Sequence, residues 1–232
     1  MSKKGGSNHY IRMRADKRLG VVGRKSVMWL LAPNPGKHKK SESISAGVLM
    51  RDVLCRVQNL HEAKKIMNSG NFLVDGKKVK EPKYSIGLMD IITEVAEKKS
   101  YRMSLDGPKL VPKEVKSESA EKKYLKATGK ATVTGGKTQI TFHDGRTYLG
   151  DKNIHTGDTC VFAIPSFKLA GHLKFAPGAR CLVTQGKHIG EIAKLDKVIA
   201  RPGSHESEAQ LSGDSGEFVT LVKYLFVVDE KF

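Results

Sequence analysis

Acidic residues are what this sequence lacks most. Its 232 residues hold 24 Asp and Glu against 41 Lys and Arg, a formal net charge of +17. Such an excess says nothing about fold, but it makes a polyanion the expected partner. Aromatic residues are only 6%, so a nucleic acid would be held mostly by charge and not by stacking on many rings. Long apolar runs are missing. The longest is Val27 to Ala32, six residues, where a membrane-spanning helix needs about 20. No membrane partner is expected, and the basic N-terminus has no apolar stretch of the signal-peptide kind. The three cysteines, Cys55, Cys160 and Cys181, are odd in number and far apart, with no CxxC pair. That argues against a disulfide framework or zinc knuckle and fits a reducing compartment. The eight histidines are scattered, with no HExxH. Neither a metal, nor a cofactor, nor a small-molecule substrate is expected.

What is present is globular composition: 39% hydrophobic and 28% charged residues. At roughly 150 residues per domain, the length allows one large domain or a few small ones. The expected class is α+β and multidomain. A basic N-terminal arm spans 1–42, a helix-pair module 43–93, a central β domain 94–173 and a C-terminal barrel 174–232.

The positive charge is uneven. Residues 1–40 hold eleven basic side chains and one acid, Asp16, so they carry ten of the seventeen excess charges. The eleven are Lys3, Lys4, Arg12, Arg14, Lys17, Arg18, Arg24, Lys25, Lys37, Lys39 and Lys40. Such a segment repels itself and is expected to stay extended until phosphates neutralise it. Val27-Met28-Trp29-Leu30-Leu31 is too apolar for a solvated tail and should dock on something. Pro33-Asn34-Pro35-Gly36-Lys37-His38 reads as a stiff spacer.

Between residues 43 and 93, Ser45 is placed to cap a helix over 46–55, whose apolar positions Leu49, Met50, Val53 and Leu54 share one face. Asn59 and Glu62 form a capping-box pattern for a second helix that ends at Gly70. Leu60, Ala63, Ile66 and Met67 face inward on it, leaving Lys64 and Lys65 outward. Phe72-Leu73-Val74 reads as a strand, Asp75-Gly76 as a tight turn, and Lys77-Lys78-Val79 as the return. Met89-Asp90-Ile91-Ile92 supplies a closing strand. Lys64, Lys65, Lys77 and Lys78, with Arg51 on the first helix, form a candidate cationic surface.

Farther along, Val133-Thr134-Gly135-Gly136-Lys137-Thr138 tempts a phosphate-loop reading. The required first glycine is replaced by Ala131, and Gln139–His143 alternates as a strand where a helix should start. A hairpin turning at Asp144-Gly145 is the better reading. Cys160–Ile164 reads as a strand ended by Pro165, with a short helix over Ser166–Leu173. The C-terminal segment offers a turn and strand over Pro177–Thr184, a glycine-bracketed loop Gln185-Gly186-Lys187-His188-Ile189-Gly190, and a return at Glu191–Leu195. Gly186 and Gly190 suit positive φ or a close backbone approach, as Gly76 suits its turn. Lys187 and His188 sit at the loop tip as candidate RNA contacts. Residues 200–216 read as a mobile loop or irregular hairpin, and Phe218–Val228 as closing strands.

Two local resemblances follow from these runs. Leu49–Leu54, His61–Ile66 and Gly70–Lys77 together resemble the S-four RNA-binding module, shared by ribosomal proteins, pseudouridine synthases and other RNA enzymes. Gln185–Gly190 with its flanking strands resembles a KOW motif in an SH3-like barrel. End to end, the order resembles the S-four-e family of small-subunit ribosomal proteins of archaea and eukaryotes. The matching elements are Trp29, Pro33–His38, Gly87-Leu88-Met89-Asp90-Ile91-Ile92, His172–Gly178 and Phe226-Val227-Val228. The stop at Phe232, without the basic extension common in eukaryotic members, implies an archaeal member. The resemblance implies a non-enzymatic, ribosome-bound cytoplasmic protein that binds and stabilises small-subunit rRNA, in its 5′ domain, beside neighbouring ribosomal proteins. The competing readings are an RNA-modifying enzyme that carries an S-four module, and a KOW-bearing transcription elongation factor. The first lacks a methyl-donor glycine motif or catalytic constellation, and the basic arm and S-four module argue against the second.

Overall fold

Short alternating apolar runs broken by glycine turns give a chain that is mostly β, with few helices and several antiparallel sheets. The computed structural model describes residues 9–150, 153–202, 206–213 and 216–229. The chain divides into two units: Met1–Ser104 with Lys109–Glu121, and Leu105–Pro108 with Lys122–Phe232.

In the first unit the described part of the arm, from His9 onward, is folded, against the expectation of an extended segment. His9–Ile11 pairs antiparallel with Trp29–Leu31, and short helical turns span Arg12–Arg14 and Lys17–Val21. The reason lies in Arg12. Its Nε and Nη2 donate to the Val22 carbonyl at 3.0 and 2.6 Å, and Nη2 also donates to Leu19 at 3.0 Å. A guanidinium that satisfies carbonyls of its own loop folds that loop instead of repelling it. Leu19, Val22 and Leu30 are buried, whereas Met28 and Trp29 stay exposed. Leu30 and Ala32 are the buried members of that apolar run.

The helix pair is present, and its first member is irregular. An α-helical turn at Ala46–Val48 passes into a π-helical turn at Leu49–Val53, marked by the Leu54 amide bonding to the Leu49 carbonyl at 2.9 Å. It stops short of the expected 55, where Cys55 takes φ +52°. Ser45 holds the N-cap position without capping, because its hydroxyl donates to the Leu31 carbonyl at 3.0 Å. The second helix, Leu60–Asn68, is capped as its sequence implies: Asn59 Oδ1 accepts from His61 and Glu62 amides at 3.1 and 3.0 Å. Gly70 follows its end at φ +81°, the left-handed geometry that favours glycine.

Phe72–Val74 turns through Asp75 and Gly76, at φ +50° and +72°, into Lys77–Lys78. The strand expected at 89–92 is Ile91–Glu94, since Met89 is held at φ +65° in the preceding turn. This strand does not close the sheet. The order is Lys77–Lys78, Phe72–Val74, Ile91–Glu94, Lys99–Asp106, Lys109–Val115, so the sheet runs past residue 93.

In the second unit, one five-stranded sheet has the order Thr147–Gly150, Lys137–Phe142, Lys122–Val133, Thr159–Ala163, Lys168–Leu173. Lys137 starts a strand after the Gly135-Gly136 turn, as the hairpin reading requires. The helix expected at 166–173 is instead the strand Lys168–Leu173, which pairs with Thr159–Ala163 through a bulge. Its exposure alternates only over 168–171, and Gly171, His172 and Leu173 are all half-buried; so short an alternation does not separate strand from helix by periodicity. Leu125, Ala127, Ile140, Phe142, Cys160 and Phe162 form its core.

A second sheet has the order Gly216–Leu221, Glu208–Gly213, Ile192–Ile199, Arg180–Val183, Leu225–Val227. The segment expected over 200–216 to be a mobile loop or irregular hairpin contains a regular hairpin strand, Glu208–Gly213, paired on both sides. Its Ala209 and Leu211 alternate into the core beside Cys181, Val183 and Leu195, a pattern hidden by the surrounding polar residues. Cys160 and Cys181 are buried, and burial pushes their thiols up to about 11 and about 12. They are small core residues.

Candidate nucleic-acid interface

The sequence nominates eighteen cationic or histidine contacts, and the structure separates them by what each already touches. Lys3 and Lys4 lie outside the described residues. Arg12 is buried and directs its donors to arm carbonyls. Arg18 is buried too, and desolvation pulls its pKa down, opposed by Glu42 and Asp16. Lys37 is enclosed between two carboxylates. Its Nζ donates to Asp75, and to Asp90 Oδ1 at 2.6 Å, with the lysine side chain 8% exposed. Although burial lowers the Lys37 pKa, Asp90 and Asp75 raise it further, and the net shift is upward. Arg51 forms a two-pronged pair with its neighbour Asp52, both bonds at 2.8 Å. These four cations already have partners within the fold.

The remainder face solvent. Arg14, Lys17, Arg24, Lys25 and Lys39 on the arm are exposed and form no ion pair among the described residues. Lys40 is exposed and already has a partner. Lys64 and Lys65 on the helix, and Lys77 and Lys78 after the turn, are exposed and unpaired among the described residues. Lys78 lies along Gly70, where an added Cβ would come within 3.3 Å of its chain. Lys187 is exposed, while His188 stacks on Phe218 with ring centroids 4.1 Å apart and its Nδ1 lies 3.2 Å from Glu191 Oε2. Gly186 and Gly190 take φ +100° and +90°, and only Gly190 is also crowded, with the Gly107 amide 2.7 Å from the site of a Cβ.

The expected stiff spacer at 33–38 turns out to be a clamp. His38 Nε2 lies 3.0 Å from Asp90 Oδ2, which also accepts from the Gly87 amide at 3.0 Å. Asp75 Oδ1 accepts from the Ile91 amide at 3.1 Å. A Cβ at Gly87 would stand 2.4 Å from the His38 ring. The Pro-x-Pro-Gly-Lys-His run thus fixes the arm to the Asp75-Gly76 turn and the Gly87–Asp90 turn. The second unit repeats this logic. Asp158 accepts from the Phe175 and His155 amides, both at 2.8 Å, and lies 2.8 Å from His172 Nε2. Burial pushes its carboxyl up, but these bonds outweigh it and the net shift is down.

Sequence reasoning missed an open groove of about 700 Å³ in the first unit, between the helix Leu60–Asn68 and residues 80–83. Its basic residues beyond Lys64 are Lys80 and Lys83. The run Val79-Lys80-Glu81-Pro82-Lys83 was a visible signal for it. Among the described residues, no group of three or more His, Cys, Asp or Glu is placed to hold a metal, and no helix is long and apolar enough to cross a membrane.

Comparison with known proteins puts the chain among ribosomal proteins. Residues 97–169 match the family described as ribosomal family S4e. Small ribosomal subunit protein eS4 of Methanosphaera stadtmanae is 34% identical over 231 residues, covering 99% of this chain and 95% of that protein. The eS4 protein of Methanocaldococcus jannaschii is 34% identical, covering 100% and 98%. The crystal structure of 30S ribosomal protein S4e from Thermoplasma acidophilum superposes with a TM-score of 0.70 at 31% identity, covering 82% of this chain and 97% of that one. The chain belongs to the S4e family of ribosomal proteins, whose members are structural, non-enzymatic components of the small subunit. The reading as an RNA-modifying enzyme has no support from them.

Proposed function

We propose that this protein binds and stabilises small-subunit rRNA during assembly and translation, as a ribosome-bound cytoplasmic constituent. The observation that carries the reading is the near full-length likeness to archaeal eS4 proteins. The cations Arg14, Lys17, Arg24, Lys25, Lys64, Lys65, Lys77, Lys78 and Lys187, exposed and unpaired among the described residues, add a physical means. Each lysine or arginine laid on a phosphate releases condensed counterions, and rigid sheets then fix the positions of the RNA helices they touch. The helix pair with its hairpin acts as an S-four-type module, and the sheet over Arg180–Val227 as a KOW-type one, beside neighbouring ribosomal proteins. The rRNA region is the 5′ domain. Filter binding of the full chain to transcripts of separate small-subunit rRNA domains tests this. The 5′-domain transcript is expected to bind most tightly, with a steep salt dependence; equal affinity for every transcript would overturn the assignment.

A further inference from the structure

The groove in the first unit has features that phosphate binding alone does not need. Its floor is apolar. Leu60, Pro82 and Leu31 converge over Gly47, where an added Cβ would meet them at 2.8, 3.1 and 3.3 Å. The missing side chain at Gly47 lets these three close the bottom. One wall is a single helical face, since His61, Lys64 and Asn68 stand three and four residues apart. The opposite wall carries Lys80 and Glu81, whose Oε1 is fixed by the Asn34 amide group at 2.8 Å.

We propose that this groove receives one unpaired nucleotide of rRNA, with its base over the apolar floor and its flanking phosphates on Lys64 and Lys80. The proposal rests on the rRNA-binding reading above. The chemistry matches what a splayed-out base requires. It needs an apolar surface for its face, a ring to stack on, and groups that read its edge. His61 supplies an exposed imidazole, Asn68 an exposed amide that both donates and accepts, and Glu81 an acceptor for an exocyclic amino group. Lys64 and Lys80 are exposed and unpaired among the described residues. The volume of about 700 Å³ lies within the range of clefts that hold a small ligand. An acidic peptide suits the lysines, but it brings no flat ring for the apolar floor and His61, which favours the nucleotide.

The full chain would be titrated by fluorescence anisotropy with a labelled single-stranded RNA pentamer, and with the same pentamer made abasic at its centre. Binding to a 5′-domain rRNA transcript is measured alongside. The abasic pentamer is expected to bind about tenfold more weakly, the size of one missing base stack. His61→Ala and Asn68→Ala should each weaken the intact pentamer by about five- to tenfold and leave the abasic one unchanged. Lys64→Ala should weaken both. Thermal unfolding of each variant checks that the fold survives, and these positions are exposed. Equal binding of intact and abasic pentamers would overturn the proposal, as would displacement of the pentamer by a Glu-Leu repeat peptide at lower concentration than by unlabelled pentamer. Either result beside normal transcript binding leaves the rRNA reading standing. Loss of transcript binding by the wild-type chain would instead overturn that reading.

Discussion

Individual cations in this protein divide into those engaged within the fold and those left exposed, and charge type does not reveal which. Lys37 and Lys39 are two positions apart. The first is clamped by Asp75 and Asp90, and the second is exposed and unpaired among the described residues. Lys37→Ala removes the cation shared by two buried carboxylates, which keep only His38 and backbone amides, and is expected to cost about 3–5 kcal/mol. Lys39→Ala should stay within about 0.5 kcal/mol. Denaturant unfolding of the two variants measures the contrast, and equal costs would show that the clamp contributes nothing. Asp158 gives a pH signature. Its folded pKa lies below the ordinary carboxylate range because of Phe175, His155 and His172. Its contribution is therefore present above the unfolded value of about 4 and disappears as pH falls through the folded one. Thermal unfolding should show Asp158→Asn less stable than wild type at neutral pH, with the gap closing in acid; a gap unchanged with pH would contradict the account. At the loop tip, Gly186 has open space, with Tyr224 3.8 Å from a Cβ, but φ is +100°. Gly186→Val should cost roughly 1–3 kcal/mol through the backbone. Lys187→Glu should keep the fold and impair incorporation into subunits.

At the level of elements, local sequence was readable where a local rule sets the geometry. The Asn59 cap, the Asp75-Gly76 turn and the Asp144-Gly145 turn each depend on two or three adjacent residues, and each stands where its residues put it. What could not be read were features settled by distant partners. Ser45 was diverted from its helix by the Leu31 carbonyl, and 168–173 became a strand because Thr159–Ala163 pairs with it. The charged arm folded because Arg12 found carbonyls and Lys37 found Asp75 and Asp90. The family elements Pro33–His38 and His172–Gly178 were visible as strings, yet their purpose, gripping Asp90 and Asp158, needed the fold. The outward lysines of the helix and hairpin support a prediction at this scale. The combined change of Lys64, Lys65, Lys77 and Lys78 to Ala should weaken rRNA binding without unfolding the unit. Each lysine–phosphate interaction removed should flatten the log–log salt slope by roughly 0.7–0.9. A wild-type slope in that variant would mean these lysines are only solvated.

For the whole molecule, the net charge of +17 is only partly available, because several cations are engaged inside the fold. What remains exposed is spread over the arm, the helix Leu60–Asn68, the Asp75-Gly76 turn and the Gln185–Gly190 loop. Chain order carries as much of the functional reading as any single site, since the archaeal relatives match over nearly the full length. The most direct test is sucrose-gradient fractionation of cell lysate at moderate salt, with the chain followed by antibody. The account predicts that it sediments with small subunits and with complete ribosomes, and that it leaves them only when salt is raised or RNase added. A chain found at the top of the gradient under all conditions would contradict it.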